Sequence, residues 1–267
     1  MKLDTSAKLK ELFSLEDKVI LVTGAAGGIF SEVSKGMAQV GGAMALCDFN
    51  EEGLKKVEDE ITGFGGKAKS FCIDMTSLDS IRSCVEQIIE AYGRIDVLVN
   101  GAGINKRVRL IEGDEETFDR IVAVNLKGVH FLSQEVAKRM KETGGGSVIN
   151  VTSYNSVMML GGCGVYGATK SGVAALTRAQ AIEWAEFGIR SNAICPGHIS
   201  TPLTEPLWTD QVRSKFLLDR IAMNRPGKPA DLLGLAILLA SDASSYMSGM
   251  MYHVDGGCLA GGQPWDL

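Results

Sequence analysis

The 267-residue sequence has little of what marks several protein classes. It holds three histidines, His130, His198 and His253, at no metal-ligand spacing, so no metal site is expected. Its six cysteines (Cys47, Cys72, Cys84, Cys163, Cys195, Cys258) form no C-x-x-C pair. They read as reduced, mostly buried thiols, not as a disulfide framework or a zinc site. A net charge of −5 and the lack of a long Lys/Arg run argue against a nucleic-acid partner. The longest apolar run, Leu232 to Ala240, is too short to span a bilayer. Met1 to Leu15 carries acids and lacks the apolar stretch of a secretory signal. The expectation is a soluble, cytoplasmic protein with no membrane and no nucleic-acid partner.

What is present is an ordinary globular composition, 45% hydrophobic, with 32 glycines at no collagen-like period. Short apolar runs bounded by charge and glycine predict strands at Lys18–Thr23, Ala43–Cys47, Ala68–Ile73, Val97–Val99, Val148–Val151, Ile189–Cys195 and Met251–Val254. Between them, helical periodicity predicts helices up to about Val40 and over Glu51–Ile61, Leu78–Tyr92 and Glu115–Lys141. Further helices are predicted from Val165 onward and over Asp231–Ala240. Residues 202–224 mix Pro, Trp and charge with short helical patches. Regular alternation of strand and helix implies one α/β domain, a doubly wound parallel sheet covered on both faces. Ligands in such sheets sit beyond the carboxyl ends of the strands, where the strand order reverses.

The unusual residues do follow the strands. After the first comes Thr23-Gly24-Ala25-Ala26-Gly27-Gly28-Ile29-Phe30, where glycines allow a tight turn and let backbone N–H groups approach a pyrophosphate. After the second comes Asp48, placed to hydrogen-bond an adenosine ribose diol. A carboxylate there would meet a 2′-phosphate with repulsion on the order of 4 kcal/mol per unit charge at an effective dielectric of about 20. No Arg or Lys in 24–29 or 49–52 offsets it. NAD is therefore the expected cofactor.

Tyr166 and Lys170 lie four apart and share a helix face. A phenol beside an ammonium can serve as an acid/base near neutral pH, since each unit of pKa lowering needs about 1.4 kcal/mol of phenolate stabilisation. Taken alone the pair also fits a plain helix surface.

Together these residues carry a resemblance. Thr23-Gly24-x-x-x-Gly28-Ile29, Asp74, Asn100-Gly101-Ala102-Gly103, Asn125, Ser153 thirteen residues before Tyr166-x-x-x-Lys170, Pro196-Gly-x-Ile-x-Thr201 and Val254-Asp-Gly-Gly257 stand in the order found in short-chain dehydrogenases/reductases. The match runs from about Leu15 to Gly257. It implies a single Rossmann-type domain of about seven strands. It also implies hydride exchange between a nicotinamide and a secondary alcohol or ketone. By the same resemblance Tyr166 is the general acid/base and Ser153 holds the substrate oxygen. Lys170 lowers the phenol pKa and binds the nicotinamide ribose, and Asn125 holds a relay water. The implied dinucleotide contacts are Gly24, Ala26, Gly28 and Ile29, then Asp48, Asp74 and Met75 at the adenosine. Asn100, Ala102, Gly103, Tyr166, Lys170, Pro196, Gly197, Ile199 and Thr201 complete them. Two positions depart from the pattern: Phe30 replaces a glycine, and Gly101 replaces the commoner Asn. Phe30 is expected either to loosen the helix against the sheet or to point into the pocket.

For the substrate, Lys106, Arg107 and Arg109 suggest an anion clamp, with Asn105, Asn155, Ser153 and His198 as further contacts and residues 198–224 as a lid. The Ala102–Arg107 run and Trp208-x-Asp210 resemble the gluconate 5-dehydrogenase-like branch, which implies a sugar acid, sugar or polyol. The alternatives are a 3-oxoacyl thioester reductase, against which Asp48 argues, and a non-catalytic dinucleotide-binding regulator. The resemblance further implies a homotetramer; the tail 261–267, which ends apolar and aromatic, is expected to pack against a neighbouring subunit near its pocket.

Overall fold

The computed structural model describes residues 5–263. The chain runs α1 (Thr5–Phe13), β1 (Val19–Thr23), α2 (Phe30–Gln39), β2 (Ala43–Asp48), α3 (Glu51–Gly63), β3 (Lys67–Cys72), α4 (Leu78–Tyr92) and β4 (Val97–Asn100). It continues through α5 (Glu115–Val122), a π-helical turn (Ala123–Gly128), α6 (Val129–Glu142), β5 (Gly146–Val151), α7 (Gly164–Glu183) and β6 (Ile189–Pro196). Then come α8 (Glu205–Thr209), α9 (Gln211–Leu218), α10 (Ala230–Ala240) and β7 (Met251–Val254). The expected strands and the expected α/β class are all present, most within two residues of their predicted bounds.

The strands form one seven-stranded sheet in the order β3-β2-β1-β4-β5-β6-β7, every pairing parallel. Successive residues of a strand face opposite sides, and both sides are buried. Ile20, Val22, Met44, Leu46, Val99 and Ile149 pack in one core with residues of α2, α3 and α10. Leu21, Ala45, Cys47, Leu98 and Val148 pack in the other with α4 and α6. The order reverses between β1 and β4, so a crevice opens at their carboxyl ends.

Two elements differ from expectation. The first is α1, which lies ahead of the first expected strand, where no helix is predicted, and packs on the Asp242–Ser244 turn. The second is the long helix 115–141, which is broken by the π turn around Asn125. A Cβ on Gly128 would collide with the Met75 carbonyl oxygen, so glycine lets the turn press against the β3–α4 loop. Single π turns inside α-helices are frequent at functional sites. No helix among the described residues is long and apolar enough to cross a membrane. Most of the tail expected at a subunit interface, residues 264–267, lies outside the described residues.

Candidate active site

A cavity of about 1700 Å³ lies along the crevice, bounded by the loops that follow β1 to β6 and by α8. At its floor the glycine loop is held by neighbours. Gly24 has φ +72°, and a Cβ there would come within 3.0 Å of the Ala102 nitrogen, so only glycine fits. The Thr23 hydroxyl accepts from the Gly101 and Ala102 N–H groups, both at 3.1 Å, tying the first and fourth loops together. The first turn of α2 has no side-chain cap, and although its Ser31 and Val33 amides go to the Gly27 and Ile29 carbonyls, the helix N-terminus still faces the cavity through Gly28, Ile29 and Phe30. Phe30 is 5% exposed and belongs to the core while also edging the cavity. Its ring fills the space beside Gly101, where a Cβ would fall 2.6 Å from Cδ2. The two departures from the family pattern are thus in contact. The helix is not loosened.

Asp48 accepts from the Ala26 N–H and from the Asn50 N–H, both at 3.1 Å, so its carboxylate edges the cavity in a fixed orientation. Asp74 accepts from the Thr76 N–H and hydroxyl at 2.8 and 2.7 Å, and Met75 lies beside it on the wall. Gly28, Ile29, Ala102, Gly103, Pro196, Gly197, Ile199 and Thr201 line the same cavity, as expected. Asn100 does not line it. Its side chain turns inward and donates to Ser133 and to Asn150 Oδ1, both at 2.8 Å.

Ser153, Tyr166 and Lys170 meet at the centre. The Lys170 ammonium is 5.6 Å from the Tyr166 ring centroid and donates to the Val151 carbonyl at 2.7 Å. Burial pushes the Lys170 pKa down to about 8. Burial also raises the Tyr166 phenol above its ordinary value, and a hydrogen bond with Ser153 offsets part of that. The expected lowering of the phenol by Lys170 is therefore not a property of the protein alone. Asn125 Oδ1 accepts from the Ile104 N–H and its Nδ2 donates to the Ile104 carbonyl, both at 2.8 Å. The π turn thus clamps the loop after β4. A Cβ on Gly103 would lie 3.4 Å from Lys170 Nζ and 3.5 Å from Asn125 Oδ1, so these groups converge on one small space.

The anion clamp shrinks to one cation. Lys106 turns away to the Thr117 hydroxyl (2.9 Å) and Asp114 (3.6 Å), and the exposed Arg109 faces Glu112. Arg107 lines the cavity and makes no ion pair among the described residues. Asn105 donates to Cys163 Sγ at 3.5 Å, and Asn155 Oδ1 accepts from the Leu160 N–H at 3.1 Å; both edge the cavity. His198 packs against Tyr154 with its ring tilted at 53°, and burial, then the positive fields of Arg107 and Arg220, push its pKa down to about 4. Sequence reasoning missed Tyr154 and Arg213 on this wall. Tyr154 had a signal, since it directly follows Ser153; Arg213 had none.

The comparisons agree with this geometry. The family described as enoyl-(acyl carrier protein) reductase matches residues 24–258. The chain belongs to the short-chain dehydrogenase/reductase family. It is 40% identical over 245 residues to 3-oxoacyl-acyl-carrier-protein reductase of Thermotoga maritima, covering 92% of this chain and 99% of that one. It is also 40% identical over 254 residues to 2-dehydro-3-deoxy-D-gluconate 5-dehydrogenase of Dickeya dadantii, covering 93% and 98%. The structure of a gluconate 5-dehydrogenase from Burkholderia cenocepacia, in complex with NADP and tartrate, superposes with a TM-score of 0.91 at 32% identity, covering 94% and 99%. As a member of this family the chain is an oxidoreductase acting on alcohol and ketone groups with a nicotinamide dinucleotide. The uncapped α2 terminus, the glycine at φ +72° and the size of the cavity fit such a group.

Proposed function

We propose that this chain is an NAD-linked dehydrogenase that interconverts a secondary alcohol and a ketone on a sugar acid, a sugar or a polyol. When bound, the dinucleotide supplies the hydride acceptor or donor. The protein's part is to orient the substrate oxygen and move its proton. Ser153 donates a hydrogen bond to that oxygen and sets it against the Tyr166 hydroxyl. In oxidation Tyr166 takes the alcohol proton; in reduction it gives the proton back. Lys170 holds positive charge below the ring, and Asn125 fixes the loop that carries Gly103 and Ile104.

The observation that carries the substrate class is Arg107, a guanidinium on the cavity wall without an ion pair. Such a cation suits the carboxylate of a sugar acid, and relatives named for sugar acids share about 32–40% of the sequence. Asp48, held by two backbone amides with no Lys or Arg in the flanking segments 24–29 and 49–52, supports NAD over NADP. The 3-oxoacyl thioester reading rests on the Thermotoga relative. Exposed apolar side chains such as Phe118 on α5, Ile182 on α7 and Met250 before β7 support association of subunits through these faces, in keeping with a homotetramer. The cytoplasm suits thiols that form no disulfide. The test is NADH formation over a panel of sugar acids, polyols and sugars, repeated with NADP. It is run beside NADPH oxidation by a 3-oxoacyl thioester. Turnover of the thioester alone would overturn the reading.

A further inference from the structure

Two buried polar atoms without a hydrogen-bond partner lie on one wall of the cavity: the Tyr154 hydroxyl and Trp208 Nε1. Tyr154 is 4% exposed and follows Ser153 in the chain. Trp208 sits on α8. His198 stands between them, its ring centroid 4.7 Å from that of Tyr154 and 6.2 Å from that of Trp208, almost edge-on to the latter. The other orphaned side-chain atoms, on Ser34, Ser70 and Asn100, belong to residues that do not line the cavity.

Buried polar groups in native proteins are nearly all paired, so two orphans on one ligand wall point to partners that arrive with the ligand. The chemistry of those partners can be read from the wall. Aromatic faces suit C–H surface, while a phenol hydroxyl and an indole N–H at their rims suit hydroxyl groups. Neutral imidazole between them adds one donor and one acceptor. An unbranched acyl chain would satisfy none of these; a carbon chain carrying hydroxyls would satisfy them in sequence.

We propose that Tyr154, His198 and Trp208 form a hydroxyl-reading wall that selects substrates bearing hydroxyl groups on the carbons beside the reacting one. The inference rests on the polyhydroxylated substrate proposed above and assigns its selection to residues apart from the Tyr166 centre and Arg107. Selection of this kind works because a site built to hydrogen-bond a hydroxyl leaves its own buried groups unpaired when the analogue lacks it.

The test compares wild type with Tyr154→Phe and Trp208→Phe. It uses a sugar acid or polyol that wild type oxidises and the deoxy analogue lacking the neighbouring hydroxyl. Wild type is expected to favour the hydroxylated compound in kcat/KM. Each variant is expected to lose about ten- to a hundredfold on that compound, chiefly through KM. The deoxy analogue should lose much less, so the preference shrinks. NADH affinity and thermal midpoint report whether each variant is folded. Should Trp208→Phe disturb α8, Tyr154→Phe, which removes one oxygen, decides alone. An unchanged preference in a folded Tyr154→Phe would overturn the wall and leave the sugar-acid reading standing. Wild-type turnover confined to a 3-oxoacyl thioester would overturn that reading and the wall with it.

Discussion

The Phe30 ring occupies the space that a side chain at position 101 would need: a Cβ on Gly101 would fall 2.6 Å from Phe30 Cδ2 and 2.8 Å from Cγ. The large residue on α2 and the missing one after β4 are therefore one feature. They should be energetically coupled. Gly101→Ala alone is expected to overpack the contact at a cost of about 1–3 kcal/mol. Phe30→Ala alone should open a cavity costing about 3–5 kcal/mol. In the double variant the added methyl meets less ring, so the combined loss should fall short of the sum by about 1 kcal/mol. Recovery stays partial because the same Cβ would lie 2.5 Å from the Thr23 carbonyl oxygen. Thermal unfolding of the four proteins measures the coupling; strict additivity would refute it.

Tyr166→Phe removes the proton carrier and little else. Positioned general acid/base groups contribute about 10²–10⁴ in rate, so turnover should fall by that order. NADH affinity, measured by fluorescence titration, should change no more than about threefold. Wild-type turnover in this variant would remove Tyr166 from the mechanism.

Asp48→Asn is expected to shift the cofactor preference. The carboxylate opposes a 2′-phosphate by up to about 4 kcal/mol before screening, so neutralising it should raise the NADP-to-NAD ratio of kcat/KM by tenfold or more. Asn keeps an acceptor for only one of the two amides that Asp48 now holds, since the Ala26 N–H binds Oδ2 and the Asn50 N–H binds Oδ1, so thermal stability is measured beside the kinetics. Wild type is expected to favour NAD, and a wild type that favours NADP would contradict this role of Asp48.

How much of the site could be read in the sequence follows from how local each device is. Tyr166 and Lys170 share a helix face at a spacing any helix imposes, and Ser153, Asp48 and Gly24 follow strands whose apolar runs are plain. Their convergence was legible for that reason. The π turn was not, because it depends on Asn125 gripping the Ile104 backbone and on Gly128 meeting Met75, contacts between distant segments. The same holds for the cations after Gly103. Three positive residues in a row of four look alike in sequence, yet Asp114 and Glu112 face two of them and only Arg107 is left to the cavity. Tyr154 and Trp208 join through His198 across more than fifty positions, which no local pattern reveals. The phenol of Tyr166 is the sharpest case: adjacency to Lys170 suggested a lowered pKa, but in the protein alone burial raises it and only the Ser153 hydrogen bond opposes that.

His198 should make an acid limb in the stability profile. Burial pushes its pKa down to about 4 from an ordinary 6.5; Arg107 and Arg220 add to the fall, Asp255 opposes it, and the neighbouring Tyr154 is uncharged. Above about pH 6.5 the imidazole is neutral folded and unfolded, so it contributes nothing. Below that the unfolded chain takes up a proton that the folded protein refuses until about pH 4. Stability is therefore lost between these values and levels off beneath them. With partial solvent screening the loss is about 2 kcal/mol. The carboxylates held low by their partners, Asp114 and Asp231, give up their contribution only at still lower pH, so the two limbs separate. His198→Asn should flatten the limb between pH 6.5 and 4 and leave the lower one in place. Chemical denaturation at half-unit pH steps measures both, and a limb of equal size in the variant would mean that another group titrates there.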